Sequence, residues 1–140
     1  MRHFLFDTNV LLDFLADRKP FSDQAEILFE YKQQKKINIF VSAISFNNLY
    51  YIINKIGGHV KAIKLLTELA DLVNIIPLDH LIIQNSLKSN FSDFEDAIQY
   101  NSALNVKIIE GIITRNHKDF KHSELSILSP ELAIKLTDEE

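Results

Sequence analysis

The chain has no cysteine, only three glycines, and no apolar run approaching the roughly 18 residues of a membrane span. Without cysteine there are no disulfides, no thiolate zinc site and no cysteine nucleophile, and the composition fits a reducing compartment. The glycines form neither G-x-G-x-x-G nor G-x-x-x-x-G-K-[ST], which argues against a glycine-rich phosphate loop. There is no G-x-S-x-G to mark a serine hydrolase. No histidines have H-x-x-x-H spacing: His117 and His122 are five apart and read as solvated surface residues, so a zinc hydrolase is disfavoured. The opening MRHFLFD reaches an aspartate after a very short apolar run, which predicts no secretory signal and a cytoplasmic location.

What remains is an ordinary folded composition, 46% hydrophobic and 24% charged over 140 residues, enough for one domain spanning 1–140 and its core. The balance is mildly acidic, 15 Lys+Arg against 19 Asp+Glu. A protein gripping nucleic acid through bare electrostatics is usually basic. An acidic one that binds it must gather its acids where a metal cation reverses their sign locally.

Arg2 to Phe6 reads as a buried strand ending at Asp7-Thr8-Asn9, with Thr8 or Asn9 capping a helix from Val10 to Ala16. Pro20 and Ser22 start a second helix that runs to about Gln34, and Ile37 to Val41 is a second strand. Ser42 or Ser45 opens a helix to Lys55, which stops at Gly57-Gly58. His59 to Leu69 is helical, Val73 to Ile76 is a strand, and Leu78 to Leu87 and Asp93 to Leu104 are helical. Lys107 to Ile109 and Gly111 to Thr114 read as one strand or a bent one, and Leu125 to Leu128 as a last strand. Pro130 opens a terminal helix, and Asp138 to Glu140 read as a frayed acidic end. Strands alternating with helices predict a three-layer α/β/α sandwich around a central, mainly parallel sheet.

Ligands of such sheets gather beyond the carboxyl ends of the strands. There the sequence places Asp7, then Ser42 and the pair Asn47-Asn48, then Thr114, Arg115, Asn116 and Asp119. Asp93 and Asp96 start the helix that leads into the last of these strands. On spacing alone Asp7 serves equally as a helix cap or as a ligand. Ser92-Asp93-Phe94-Glu95 has capping-box form, with Ser92 at N-cap, Asp93 at N1 and Glu95 in a structural role at N3. Asp96 sits among Phe94, Ala97 and Ile98 on a half-buried face, where a carboxylate needs a partner.

Three segments together resemble the PIN domain family in the small form found in VapC-type toxins. They are Phe6-Asp7-Thr8-Asn9-Val10-Leu11-Leu12, then Asp93-Phe94-Glu95-Asp96-Ala97-Ile98-Gln99-Tyr100 with Ala103 beyond, then Ile113-Thr114-Arg115-Asn116-His117-Lys118-Asp119-Phe120. The resemblance covers essentially the whole chain. It implies a metal-dependent ribonuclease acting on single-stranded RNA, with Asp7, Asp96 and Asp119 holding one or two Mg²⁺ or Mn²⁺ ions and Asp93 as an extra acid. Thr8, Asn9, Thr114 and Asn116 match polar residues that support the metal or its waters, and Arg115 and Lys118 could steer the RNA backbone. Where the family usually carries a glutamate, on the helix after the second strand, this chain has Asn48, an amide that can accept but brings no charge.

The resemblance also implies a toxin neutralised by a small antitoxin, and a homodimer. An antitoxin arginine reaching toward the metal ligands would suit an acidic groove, and Tyr50 and Tyr51 stand between interface and core roles. A PIN module that binds RNA or a protein without cutting is the alternative that Asn48 raises. A haloacid-dehalogenase-like phosphatase would need an aspartate at position 9, where this chain has Asn9.

Overall fold

The computed structural model describes all 140 residues. Five strands form one all-parallel sheet: β1 (Arg2–Phe6), β2 (Ile37–Ser42), β3 (Asn74–Ile76), β4 (Gly111–Ile113) and β5 (Ser126–Leu128). Seven helices flank it: α1 (Thr8–Leu15), α2 (Phe21–Gln33), α3 (Ala43–Gly57), α4 (His59–Leu72), α5 (His80–Leu87), α6 (Phe94–Leu104) and α7 (Pro130–Asp138). None is long and apolar enough to cross a membrane.

Both faces of the sheet are covered, so its central strands are apolar at successive positions rather than at alternate ones. Phe4, Phe6, Ile37, Ile39, Val41 and Ile113 point into the larger core, against α1, α2, α3 and α4. Leu5, Phe40 and Ile112 point the other way, onto Tyr100 and Ala103 of α6 and onto Phe120. These are the three layers expected.

The strand order is β3-β2-β1-β4-β5. The chain builds outward from β1 to β3, then returns to place β4 on the free side of β1. The carboxyl ends of β1 and β4 therefore flank the point where the winding reverses, the usual ligand crevice of an open α/β sheet. Phe6 pairs with Ile113, so the next residues, Asp7 and Thr114, emerge side by side.

Several local expectations need correction. Lys107 to Ile109 is not a strand: the chain turns after α6, with Ile109 N–H donating to Val106 O (3.0 Å), and Ile109 is buried from that turn. The acidic end is not frayed, because Asp138 belongs to α7 and accepts from the Tyr31 hydroxyl, while Glu140 pairs with Arg2 Nε at 2.9 Å. Gly58 is the residue that needs glycine at the end of α3, with φ at +89°. Tyr50 packs against the larger core, whereas Tyr51 is 61% exposed and carries Lys55 over its ring.

Candidate active site

A cleft of about 210 Å³ opens at the reversal point, lined by Asp7, Thr8, Asn9, Asn48, Ile52, Asp93, Glu95, Asp96 and Asp119. Seven residues singled out in the sequence are thus brought together from four chain segments. A larger open groove of about 360 Å³ lies elsewhere, between Phe14, Phe29 and Leu72, with Glu26 and Glu30 as its only ionisable groups.

Asp7 is the floor of the cleft and is buried. It occupies the N-cap position of α1, yet its side chain makes no cap hydrogen bond. The carboxylate is held instead by two distant residues: Gln99 Nε2 donates to Oδ1 (3.0 Å) and Thr114 Oγ1 donates to Oδ2 (2.6 Å). Thr114 Oγ1 in turn accepts from the Asn116 backbone N–H (2.9 Å), so Asn116 supports Asp7 through its main chain. The helix cap expected at Thr8 or Asn9 is not formed: Asp7 takes the N-cap position, and its carboxylate is bound to Gln99 and Thr114 instead of to the helix end. Burial pushes the Asp7 carboxyl above its ordinary range, with the Thr114 and Gln99 hydrogen bonds pulling it back.

The acidic wall comes from α6. Its cap is Asp93 rather than Ser92, with Asp93 Oδ1 accepting from Asp96 N–H (3.0 Å). The capping box is therefore not formed, because Glu95 turns away from its own helix end. Its Oε2 accepts from Thr8 Oγ1 at 2.7 Å across the cleft. Since that bond uses the only hydroxyl proton of Thr8, Ser45 Oγ must be the donor in its own 2.7 Å contact with Thr8. Asp96 is half-buried, and its carboxyl is pushed up to about 8, first by desolvation and then by the charges of Asp93, Asp7, Asp119 and Glu95. Asp119 is exposed, on a 3₁₀ turn (His117–Phe120) at the rim.

Arg115 is engaged elsewhere. It forks onto buried Asp13 of α1, with Nε to Oδ2 at 2.7 Å and a second nitrogen to Oδ1 at 3.2 Å, and lies over the Phe21 ring. Arg18 binds the same Asp13 carboxylate at 2.8 Å. Lys118, His117 and His122 are exposed.

In the sequence Gln99 and Asp13 have no candidate role, Ser45 has only that of a helix opener, and Glu95 a structural role at N3. Glu95, Gln99 and Ser102 fall at i, i+4 and i+7 on α6, one polar stripe that runs from the cleft into the buried side of the helix. Both Gln99 and Ser102 are fully buried, and Ser102 Oγ meets Ser42 Oγ at 3.2 Å. A polar stripe on the buried side of a helix is the sequence signal for Gln99 and Ser102.

The donor set suits a hard divalent cation. The protein neutralises buried Asp13 with two arginines, yet Asp7, Asp93, Glu95, Asp96 and Asp119 have no Lys, Arg or His partner among its ion pairs. Uncompensated carboxylates around one cleft are what a cation would neutralise. No three acidic or histidine side chains converge closely enough to ligate one ion by themselves. Mg²⁺ needs only one or two protein carboxylates because it keeps several of its waters.

No curated protein matches the chain. Among solved structures, it is similar to VapBC2 from Rickettsia felis bound to a DNA fragment from the VapBC2 promoter, with a TM-score of 0.67 at 17% identity, covering 91% of this chain and 98% of that one. A toxin–antitoxin complex from Klebsiella pneumoniae aligns with a TM-score of 0.64 at 25% identity over 90% of this chain and 96% of that one. VapC20 of Mycobacterium tuberculosis, a sarcin-ricin loop cleaving toxin, aligns with a TM-score of 0.63 at 15% identity over 78% and 86%. The PIN domain family model matches residues 3–118, which takes in Asp7, Asn48, Asp93 and Asp96, and the chain belongs to the PIN domain family.

Proposed function

We propose that this protein is a metal-dependent ribonuclease that hydrolyses phosphodiester bonds of single-stranded RNA, and that it is the toxin of a toxin–antitoxin pair. The observation that carries this reading is the buried Asp7, clamped by Gln99 and Thr114 at the sheet's reversal point and facing an acidic wall with no basic partner. Family membership and the likeness to VapC toxins support it.

Asp7, Asp96 and Asp119 would hold Mg²⁺ or Mn²⁺, in part through waters the ion retains, with Asp93 beside them. An ion bound there would supply a water acidic enough to lose its proton near neutral pH and positive charge against the phosphate oxygens. The residues' own work is positional. Gln99 and Thr114 keep both Asp7 oxygens at fixed angles, and the buried ring of hydrogen bonds prevents that carboxylate from swinging away. Asn9 and Asn48 offer neutral donors and acceptors to water or to the sugar-phosphate chain. Lys118, exposed and next to Asp119 in the chain, would meet the RNA backbone, whereas Arg115 fixes its loop to α1.

The partners follow from the same likeness. A cognate antitoxin is proposed because two of the structural neighbours are toxin–antitoxin assemblies. Homodimerisation is proposed through α3 and α4, which expose Tyr51, Ile56, Val60 and Ile63. A cytoplasmic location fits an RNA target.

One observation favours a second reading, a PIN module that binds RNA or protein without cutting. The α3 wall of the cleft offers Asn48, which has no charge and cannot act as a base near neutral pH. Cleavage of a mixed pool of structured and single-stranded RNAs in Mn²⁺, Mg²⁺ or EDTA separates the two. Metal-dependent cutting that disappears in folded Asp7→Asn and Asp96→Asn variants is the expected result. Folded, antitoxin-free protein that cuts no better than those variants would favour the binding module.

A further inference from the structure

We propose that Glu95 is a cation ligand of this cleft, supplying a negative charge that the α3 wall, with Asn48, does not. The proposal rests on the divalent-cation reading above and adds a residue to it.

Glu95 is half-buried and takes no part in capping its own helix. One carboxylate oxygen is fixed by Thr8 Oγ1, which is itself fixed by Ser45 Oγ, both contacts being 2.7 Å and both hydroxyl residues buried. The hydroxyl relay thus joins α3, α1 and α6, and it sets the Glu95 carboxylate beside the residue that follows Asp7. A link of that kind needs only an acceptor, and a glutamine would provide one without a charge to desolvate. The full negative charge is therefore unexplained by the hydrogen bond, and no lysine, arginine or histidine pairs with it.

Asn48 lines the same cleft. It stands one helical turn after Ser45, on the face of α3 where the relay ends. The α3 side thus contributes an anchor for Glu95 through Ser45 and a neutral amide through Asn48. A carboxylate held from α6 onto this face puts charge where α3 carries none.

The test is Mn²⁺ binding by titration calorimetry to protein stripped with chelator, with melting curves in EDTA and in Mn²⁺ alongside. The variants are Glu95→Gln, Asn48→Glu, their combination, and Asp7→Asn as a reference for ligand loss. Glu95→Gln keeps an acceptor for Thr8, so its EDTA melting temperature should match or exceed that of wild type. Its Mn²⁺ affinity should fall about 10- to 100-fold, the scale seen when groups that organise a metal site are lost. Asn48→Glu in the Glu95→Gln background should recover most of that affinity by returning a carboxylate from the α3 side. Wild-type binding that Glu95→Gln leaves unchanged would overturn the proposal alone, and so would a Glu95→Gln variant that fails to fold. A wild type that binds no Mn²⁺ would overturn the divalent-cation reading as well.

Discussion

Gln99 Nε2 donates to Asp7 Oδ1 at 3.0 Å while Gln99 Oε1 accepts from the Thr8 backbone N–H at 3.3 Å, so one buried amide spans the carboxylate and the first turn of α1. This pair of bonds fixes the orientation of the amide and couples α6 to the end of β1. Gln99→Leu would fill the space but leave the Thr8 N–H and one Asp7 oxygen without a partner. A buried group left unsatisfied costs about 1–3 kcal/mol, so a lower melting temperature is expected. Cleavage should fall further than stability, by about 10- to 100-fold, because the freed carboxylate samples other angles. Turnover in Mn²⁺ measured beside a melting curve checks both. Activity that falls no more than the folded fraction would assign Gln99 to the core alone.

Much of this arrangement was legible in the sequence, and the failures have a common cause. Phe4, Leu5 and Phe6 read as a strand buried on both faces because burial on both faces leaves no polar alternate, and Asp7 ended that run where the sheet ends. The β-branched pair Ile108-Ile109 suggests a strand, but Ile109 is buried from a turn without pairing and Ile108 faces solvent. Ser92 and Glu95 have the spacing of a capping box, but Thr8, 87 positions away, wins the Glu95 carboxylate. Arg115 likewise looked free for substrate until Asp13, 102 positions away, claimed it. Local spacing records what a residue can do with its neighbours. Contacts across the sheet decide which of those options it takes.

The raised Asp96 carboxyl gives a pH-dependent signature of the metal-free protein. Its folded value, about 8, lies above the unfolded one, so the folded state binds more protons between roughly pH 4 and 8. In that window the group's contribution to stability is lost as pH rises, and it levels off above pH 8. Asp96→Asn removes this penalty. In EDTA the variant should therefore melt above wild type at pH 8, with the gap closing as pH falls toward 4. Saturating Mn²⁺ should raise wild type far more than the variant. Paired melting curves across that range test the sign, and a variant less stable than wild type at pH 8 would contradict it.

Buried Asp13 provides a test of how the loop after β4 is fixed. Arg115 and Arg18 share its carboxylate and each keeps part of its side chain in solvent, 26% and 40% exposed against 2% for Asp13. Either arginine alone can neutralise the aspartate, so Arg115→Ala or Arg18→Ala should each cost about 1 kcal/mol. Removing both leaves a buried charge uncompensated, for which about 3–5 kcal/mol is expected. Chemical denaturation of the two single variants and the double variant measures this coupling. Simple additivity would show that the two arginines act independently. Arg115→Ala should also slow cleavage in the folded protein, because Thr114 precedes it and holds Asp7.

Gly111 opens β4, and a Cβ built there would lie 2.8 Å from the Ser126 backbone oxygen of the neighbouring strand. Backbone cannot yield as a flexible side chain can, so Gly111→Ala must push β5 away from β4 or tilt β4 itself. Overpacking of this kind costs roughly 1–3 kcal/mol. The displacement also reaches the site, because Thr114 follows the same short strand and its 2.6 Å bond to Asp7 depends on strand position. Gly57→Ala is the matched control: the nearest atoms to its Cβ belong to the Lys61 side chain, which can swing aside, and Gly57 ends a helix where alanine is the better former. Melting temperature and Mn²⁺-dependent cleavage should therefore both drop in Gly111→Ala and hold in Gly57→Ala. Equal behaviour of the two variants would mean that β4 and β5 have slack to absorb a methyl group, and that the Asp7 clamp does not depend on how closely those strands pack.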